Sequence, residues 1–185
     1  VRELTFSRLE AADMLALQAG RKNRVVFGMP VVATREEAQA IASERVAWAA
    51  RVVGPGGAKL IGCFGIVEHF AGVHGLAWAM LADRLGPAHL PLTRFVASAI
   101  AACGLPRLEL LARGPDLEAV LAKWPALDPG QIVALAEARP TPEMRWARLL
   151  GMVPAHVLRF YGGAAETFIL FERRDRGALQ HREAA

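Results

Sequence analysis

Cysteine is almost absent from this chain: two of 185 residues, Cys63 and Cys103, each alone in an apolar stretch. Two thiols with neither a CxxC spacing nor a companion histidine cluster cannot hold zinc, so they read as buried free thiols and no metal is expected. Tyrosine occurs once, at Tyr161, and lysine three times, at Lys22, Lys59 and Lys123. No apolar run reaches the ~18 residues that a membrane-spanning helix needs, because Arg, Glu, Pro or His interrupts every stretch. Val1 to Phe6 carries Arg2 and Glu3 and lacks the apolar block of a signal peptide. The expectation is a soluble, cytoplasmic protein with no membrane partner. There is no GxGxxG after a strand, no GxxxxGKS/T, no HExxH and no GxSxG, which removes four large groups of enzymes. Internal repeats are absent as well.

What is there is a core. Hydrophobic residues make up 54% of the chain and charged residues 22%, with a mean hydropathy of +0.26. That balance excludes a disordered tail or a collagen-like repeat, and the length suits one domain with an insertion better than two domains. The formal charge of +4 comes from 22 Lys+Arg against 18 Asp+Glu. Only Arg21-Lys22-Asn23-Arg24 and Arg173-Arg174-Asp175-Arg176 form local clusters, so the excess argues against a nucleic-acid partner. Trp48, Trp78, Trp124 and Trp146 sit on apolar stretches and read as core, not as platforms for bases.

Periodicity orders the chain. Val1–Phe6 reads as a strand, and Ser7 with Glu10 matches a capping box opening a helix that Gly20 ends. Arg21–Arg24 reads as a loop. Thr34 with Glu37 caps a second helix through about Ser43. Arg45–Val52 alternates with a period of two and reads as a strand, with a prolonged helix as the alternative. Gly54–Gly57 turns the chain into a strand over Lys59–Phe70, and Ala71-Gly72 turns it again into His74–Ala82, an antiparallel meander. Leu90–Cys103 has helical spacing and Arg107–Arg113 returns as a strand, a crossover suited to parallel pairing. A helix over Asp116–Trp124 and helical Gln131–Ala138 follow, then a helix opened by Thr141-Pro142-Glu143 and ending at Leu150-Gly151. Val153–Tyr161, the turn Gly162-Gly163 and Glu166–Arg173 form a terminal hairpin.

This order resembles the GNAT superfamily of N-acetyltransferases. The segment Glu143–Met152, with Leu150-Gly151-Met152, looks like the last helix of that family and its Leu-Gly-Phe-type turn, followed by Val157-Leu158-Arg159-Phe160-Tyr161-Gly162-Gly163 and a strand closing on Phe171-Glu172-Arg173. Within the superfamily the chain is most similar to phage- and prophage-encoded GNAT-like proteins, through Cys63-Phe64-Gly65-Ile66-Val67-Glu68, Gly75 and Ala77-Trp78-Ala79. The resemblance implies an α/β (α+β) fold: a mixed, mostly antiparallel twisted sheet of about seven strands flanked by helices. It implies a single domain over residues 1–173, a helical insertion at about 115–140, and a charged tail over 174–185.

The resemblance also implies chemistry: N-acyl transfer from acetyl-CoA, the acyl-donor substrate, to an amine that attacks the thioester directly. The acceptor would be a small molecule or a protein. Glu68, with His74 across the turn, is the candidate base. Glu109 is a weaker one. Backbone N–H groups at Met80, Leu81 and Ala82 are candidates for the splayed strand that holds the oxyanion, and Arg84, Gly86, Ala88 and His89 for the pyrophosphate cradle. Three departures from the family pattern stand out. The cradle glycine comes one residue early, Pro87 brings no N–H, and Ala147 stands where the family has its acidic tyrosine. They favour the alternative, a phage- or prophage-type virion or assembly protein that keeps the scaffold without catalysis, with a protein partner or a second copy of itself in a phage-like particle.

Overall fold

The computed structural model describes residues 3–19, 24–27, 34–82, 85–161 and 166–174, the segment 24–27 by its backbone. In chain order the elements are β1 (Glu3–Arg8), α1 (Ala11–Ala19), β2 (Arg24–Phe27), α2 (Arg35–Ala42), β3 (Val46–Gly54), β4 (Gly57–Phe70) and β5 (His74–Ala82). Then come a 3-10 turn (Gly86–Ala88), α3 (His89–Ala102), β6 (Arg107–Arg113), α4 (Glu118–Lys123), α5 (Pro129–Ala138), α6 (Pro142–Leu149), β7 (Val153–Tyr161) and β8 (Glu166–Arg174). Seven strands lie in the order β1-β3-β4-β5-β6-β8-β7, and the short β2 adds an eighth by pairing with β5. Every pairing is antiparallel except β5 with β6. The expected mixed, mostly antiparallel sheet flanked by helices is therefore present, and Arg45–Val52 belongs to a strand, not to a prolonged helix.

Strand alternation sends side chains to two faces, and each face has its own cluster. One face carries Ala47, Ala49, Cys63 and Trp78 against Leu9, Ala11 and Met14 of the first helical region and Ala38 and Ala42 of α2. The other carries Phe64, Ile66, Ala77, Ala79, Leu108 and Leu110 against Leu92, Val96 and Ile100 of α3 and Met144, Trp146 and Ala147 of α6. Each large side chain buried this way contributes about 1.5–3 kcal/mol. α4 and α5, within the segment read as an insertion, put Leu121 and Ala136 into this second cluster. Trp146 donates its indole N–H to Thr93 Oγ1 at 2.8 Å, so α6 and α3 are joined by a buried hydrogen bond as well as by packing. Thr141 caps α6 through the Met144 N–H and donates its own hydroxyl to the Arg113 carbonyl, fixing that helix to the end of β6.

The first helix starts differently from its expected capping box. Ser7 lies inside β1, opposite Ala49 of β3, and its hydroxyl accepts from Arg51. The helix begins only at Ala11, four residues on, and the Ser7 hydroxyl is engaged by Arg51, so Ser7 does not cap it. Instead Asp13 reaches back to the Glu10 N–H, and its other oxygen pairs with Arg51. Arg51 thus ties β1, β3 and α1 together at one point. A second difference is β2. Residues 21–23 lie outside the described ones, but Arg24, read as part of a loop, opens a strand. The α2 capping box forms as expected, with Thr34 and Glu37 each accepting from the other's backbone.

Gly65 is required where β3, β4 and β5 meet: a Cβ there would run into the Val46 carbonyl and sit 3.0 Å from the Trp78 ring. Backbone cannot yield, so Gly65→Ala should cost about 3 kcal/mol, read as a lower urea midpoint at unchanged slope. Gly86→Ala meets open space but a φ of +51°, and should cost about 1–2 kcal/mol.

Burial pushes the Cys63 thiol up to about 12 from 9.0, with the charge on Asp13 adding to the rise and Arg51 opposing it. The unfolded chain then loses this proton first. The stability held by the protonated thiol is full below pH 9 and falls as the pH climbs toward 12. Thiol-reagent labelling of Cys63 at pH 8 should therefore require unfolding, and the urea midpoint should drop between pH 9 and 11.

Candidate functional site

The site is set by a parting of strands. β5 and β6 pair in parallel from His74↔Arg107 to Ala77↔Leu110, and there the pairing stops. β5 runs on to Ala82 with its other edge still bonded to β4, where Gly62 faces Leu81 and Cys63 faces Met80. A small apolar cavity lies under the sheet against α3 and α6, lined by Val46, Phe64, Ala79, Leu110, Val96 and Trp146. Met80 and Leu81, expected at this edge, are buried core residues, and Ala82 is half-buried. Their outward edge is taken by β2, with Arg24↔Ala82, Val25↔Leu81, Val26↔Met80 and Phe27↔Ala79 in register.

Beyond Ala82 the chain enters the segment expected to cradle a pyrophosphate. Arg84 lies outside the described residues. Gly86 takes a positive φ of +51° and Pro87 begins a tight 3-10 turn that leads straight into α3. In that turn the Ala88 N–H donates to the Leu85 carbonyl and the His89 N–H to the Gly86 carbonyl. Two of the donors expected to face a phosphate are thus engaged locally. The reason is conformational: with Pro fixing φ next to Gly86, the chain closes into i→i+3 bonds and not into an open loop.

At the other end of β5, His74 and Glu68 take different partners. Glu68 accepts the Gly72 N–H at 2.7 Å and lies 3.4 Å from Arg45, so it fixes the β4–β5 turn. His74 Nε2 lies 3.2 Å from Glu109 Oε2 without an aligned hydrogen bond, both side chains being largely buried. Arg107 binds the other oxygen of Glu109 and stands 3.8 Å from Glu172, which also pairs with Arg174. The structure therefore joins His74 to Glu109, the carboxylate that sequence reasoning ranked second, and not to Glu68. A bulge between Glu68 and Phe70 brings both rings of the pair after Glu68 to His74: His69 at 5.6 Å and Phe70 at 6.1 Å between centroids.

Strand alternation puts His74 and Trp78 on one face of β5. Trp78 is buried and its Nε1–H has no hydrogen-bond partner. Buried donors of this kind are rare in folded proteins. The face thus carries an imidazole–carboxylate pair near the start of β5 and an unpaired indole donor where β6 departs. Ala147, at the position of the family's acidic tyrosine, is fully buried in the core. Among the described residues, no group of three or more His, Cys, Asp or Glu could hold a metal ion, and no helix is long and apolar enough to cross a membrane.

Sequence reasoning missed β2, although the Val25-Val26-Phe27 run of β-branched and aromatic residues is a strand signal. It also left Arg107 and Glu172 unmentioned as partners of Glu109, because only the β6–β8 register brings Glu109 opposite Glu172.

No family sequence model matches the chain, and comparison with curated proteins by sequence finds no match. Solved structures do match in fold. An aminoglycoside 6'-N-acetyltransferase from Enterococcus faecium superposes with a TM-score of 0.59 at 14% identity, over 92% of this chain and 96% of that one. A ribosomal-protein-S5-alanine acetyltransferase from Vibrio fischeri gives 0.56 at 14% identity, over 94% and 93%. An acetyltransferase of the GNAT family from Streptococcus pneumoniae gives 0.53 at 16% identity, over 93% and 99%. At these identities the likeness is one of fold, and it extends over nearly the whole of each chain.

Proposed function

We infer that the chain is an acyl-CoA-dependent N-acyltransferase that acts on a small-molecule or protein amine. The observation that carries this reading is the parting of β5 from β6 within a fold shared with acetyltransferases of two acceptor types. Fold alone does not dictate activity, so the weight rests on what the parted strands offer. The edge of Met80, Leu81 and Ala82 suits the amide-bearing arm of an acyl-CoA, and the Gly86, Ala88 and His89 turn lies where its phosphates would fall; Arg84, just before it in the sequence, is the candidate for added charge. The amine would enter from the His74 end.

In the reaction the amine lone pair attacks the thioester carbonyl carbon, the C–N bond forms, the C–S bond breaks, and the thiolate leaves. The ammonium proton needs a base. We assign that role to His74, with Glu109 as the group that positions it; His74 stands three residues before Ala77, ~10 Å along the strand from the parting point. Glu68 is then a turn-holding residue. The Trp78 indole N–H, on the same face, is buried beside Gly65 of β4 under α1 and α2 and takes no part in this assignment. A non-catalytic scaffold, such as a virion or assembly protein, is favoured by two observations: β2 lies on the expected cofactor edge, and the Ala88 and His89 donors close on their own turn.

Thermal unfolding with millimolar acetyl-CoA, beside desulfo-CoA and ADP, decides between the two. Ligand at ~100 times its dissociation constant adds about 2.7 kcal/mol, which in a chain of this size raises Tm by ~5–10 °C. A shift with acetyl-CoA and desulfo-CoA supports the enzyme; no shift with any of the three supports the scaffold.

Given binding, turnover separates the candidate bases. His74→Gln should lower kcat by ~10²–10⁴-fold, whereas Glu68→Gln, which keeps an acceptor for the Gly72 N–H, should stay near the native rate. The reverse pattern would move the base to Glu68.

A further inference from the structure

We propose that β2 is a built-in occupant of the acyl-CoA edge, a strand of the protein itself that must leave β5 before an amide-bearing acyl arm can bind there. The proposal rests on the acyl-CoA reading above and adds a regulatory element to it. Its basis is a conflict of position. Once β6 departs after Ala77, the outward N–H and C=O groups of Ala79–Ala82 have no sheet partner, and Ala79, Met80 and Leu81 are each less than 5% exposed. Buried backbone groups cannot be left without partners. β2 supplies them over all four residues, so a ligand that uses the same groups competes with β2 directly.

Several features make the exchange cheap. β2 is four residues long and, among the described strands, pairs with β5 and not with β6, although its Cα atoms come within 8 Å of β6. Two-stranded pairings of that length are marginal by themselves. β5 does not depend on it: β4 holds its other edge along most of its length, and Ala79 and Leu81 pack into the α3–α6 cluster. Removing β2 therefore leaves the edge in place. Strand addition relies on main-chain bonds, so an extended arm with amides can replace a strand without matching its side chains. The apparent affinity for such a ligand is reduced by the fraction of molecules in which the edge is free.

The test compares acetyl-CoA binding, by calorimetry, in the native protein and in the Val25→Pro/Val26→Pro double variant. Neighbouring residues of a strand direct their N–H groups to opposite sides, so one of the two prolines removes a donor to β5 whichever register is used. The variant should bind acetyl-CoA at least tenfold more tightly. In the native protein, amide exchange should show Arg24–Phe27 losing protection on saturation with acetyl-CoA while Ala79–Ala82 stay protected. Equal affinities, with Arg24–Phe27 still protected in the bound state, would overturn the proposal and leave the acyl-CoA reading intact. Binding to neither protein would remove both. If the double variant does not fold, the exchange measurement on the native protein decides.

Discussion

Backbone polar groups in a buried strand must be satisfied, and β5 meets that requirement in an unusual way. It is paired with β4 on one side along most of its length, but on the other side its partner changes after Ala77 from β6 to β2. A parallel neighbour delivered by the α3 crossover gives way to an antiparallel one from near the start of the chain. The course of β2 along this edge follows from that change of partner.

The two sheet faces divide the work. On the α3 and α6 side the strands present Ala77, Ala79, Leu108 and Leu110, and polar bonds between Trp146 and Thr93 and from Arg173 to the Ile100 carbonyl tie into an otherwise apolar layer. The opposite face starts out equally apolar under α1 and α2, around Cys63 and Trp78. Toward the start of β5 and β6 it turns polar, with His74, Arg107, Glu109 and Glu172 in contact across three strands. His74, Glu109 and Glu172 are partly buried, and pairing with one another and with the exposed Arg107 offsets part of their desolvation. Mutual pairing also holds each of them in one orientation, which a positioned base requires.

Legibility followed the range of the interactions. Thr34 and Thr141 announce helix starts through contacts within three residues, and the strand alternation of β3 and β6 is a property of the segment itself. Those elements could be read. Ser7 shows the limit: its spacing to Glu10 satisfies a local rule, but pairing with a strand some forty residues away overrode it. Pairings between candidate residues were not legible. His74 was expected across from Glu68, yet the carboxylate beside it is Glu109, because a parallel register between β5 and β6 decides which side chains meet. Nothing within the turn itself distinguishes Glu68 the turn-holder from Glu68 the base. The role of β2 was illegible for the same reason: four residues carry a strand signal, but not the address of the edge they join.

The sheet order has a consequence for synthesis. β8 is the last described strand, yet it lies inside the sheet, between β6 and β7. A chain growing from its N-terminus can complete β1, β3, β4 and β5 and can add β6 by the crossover. The far edge of β6 then stays open until Glu166–Arg174 has emerged. An exposed strand edge is a template for pairing with another chain, and partly made proteins are most prone to such errors. Six of the eight described strands therefore emerge early and two, β7 and β8, late, so the interval in which a nascent chain is most vulnerable falls across α4, α5 and α6. Those helices are short, and α5 and α6 carry their own caps, Asp128 and Thr141, so they can form while β6 waits.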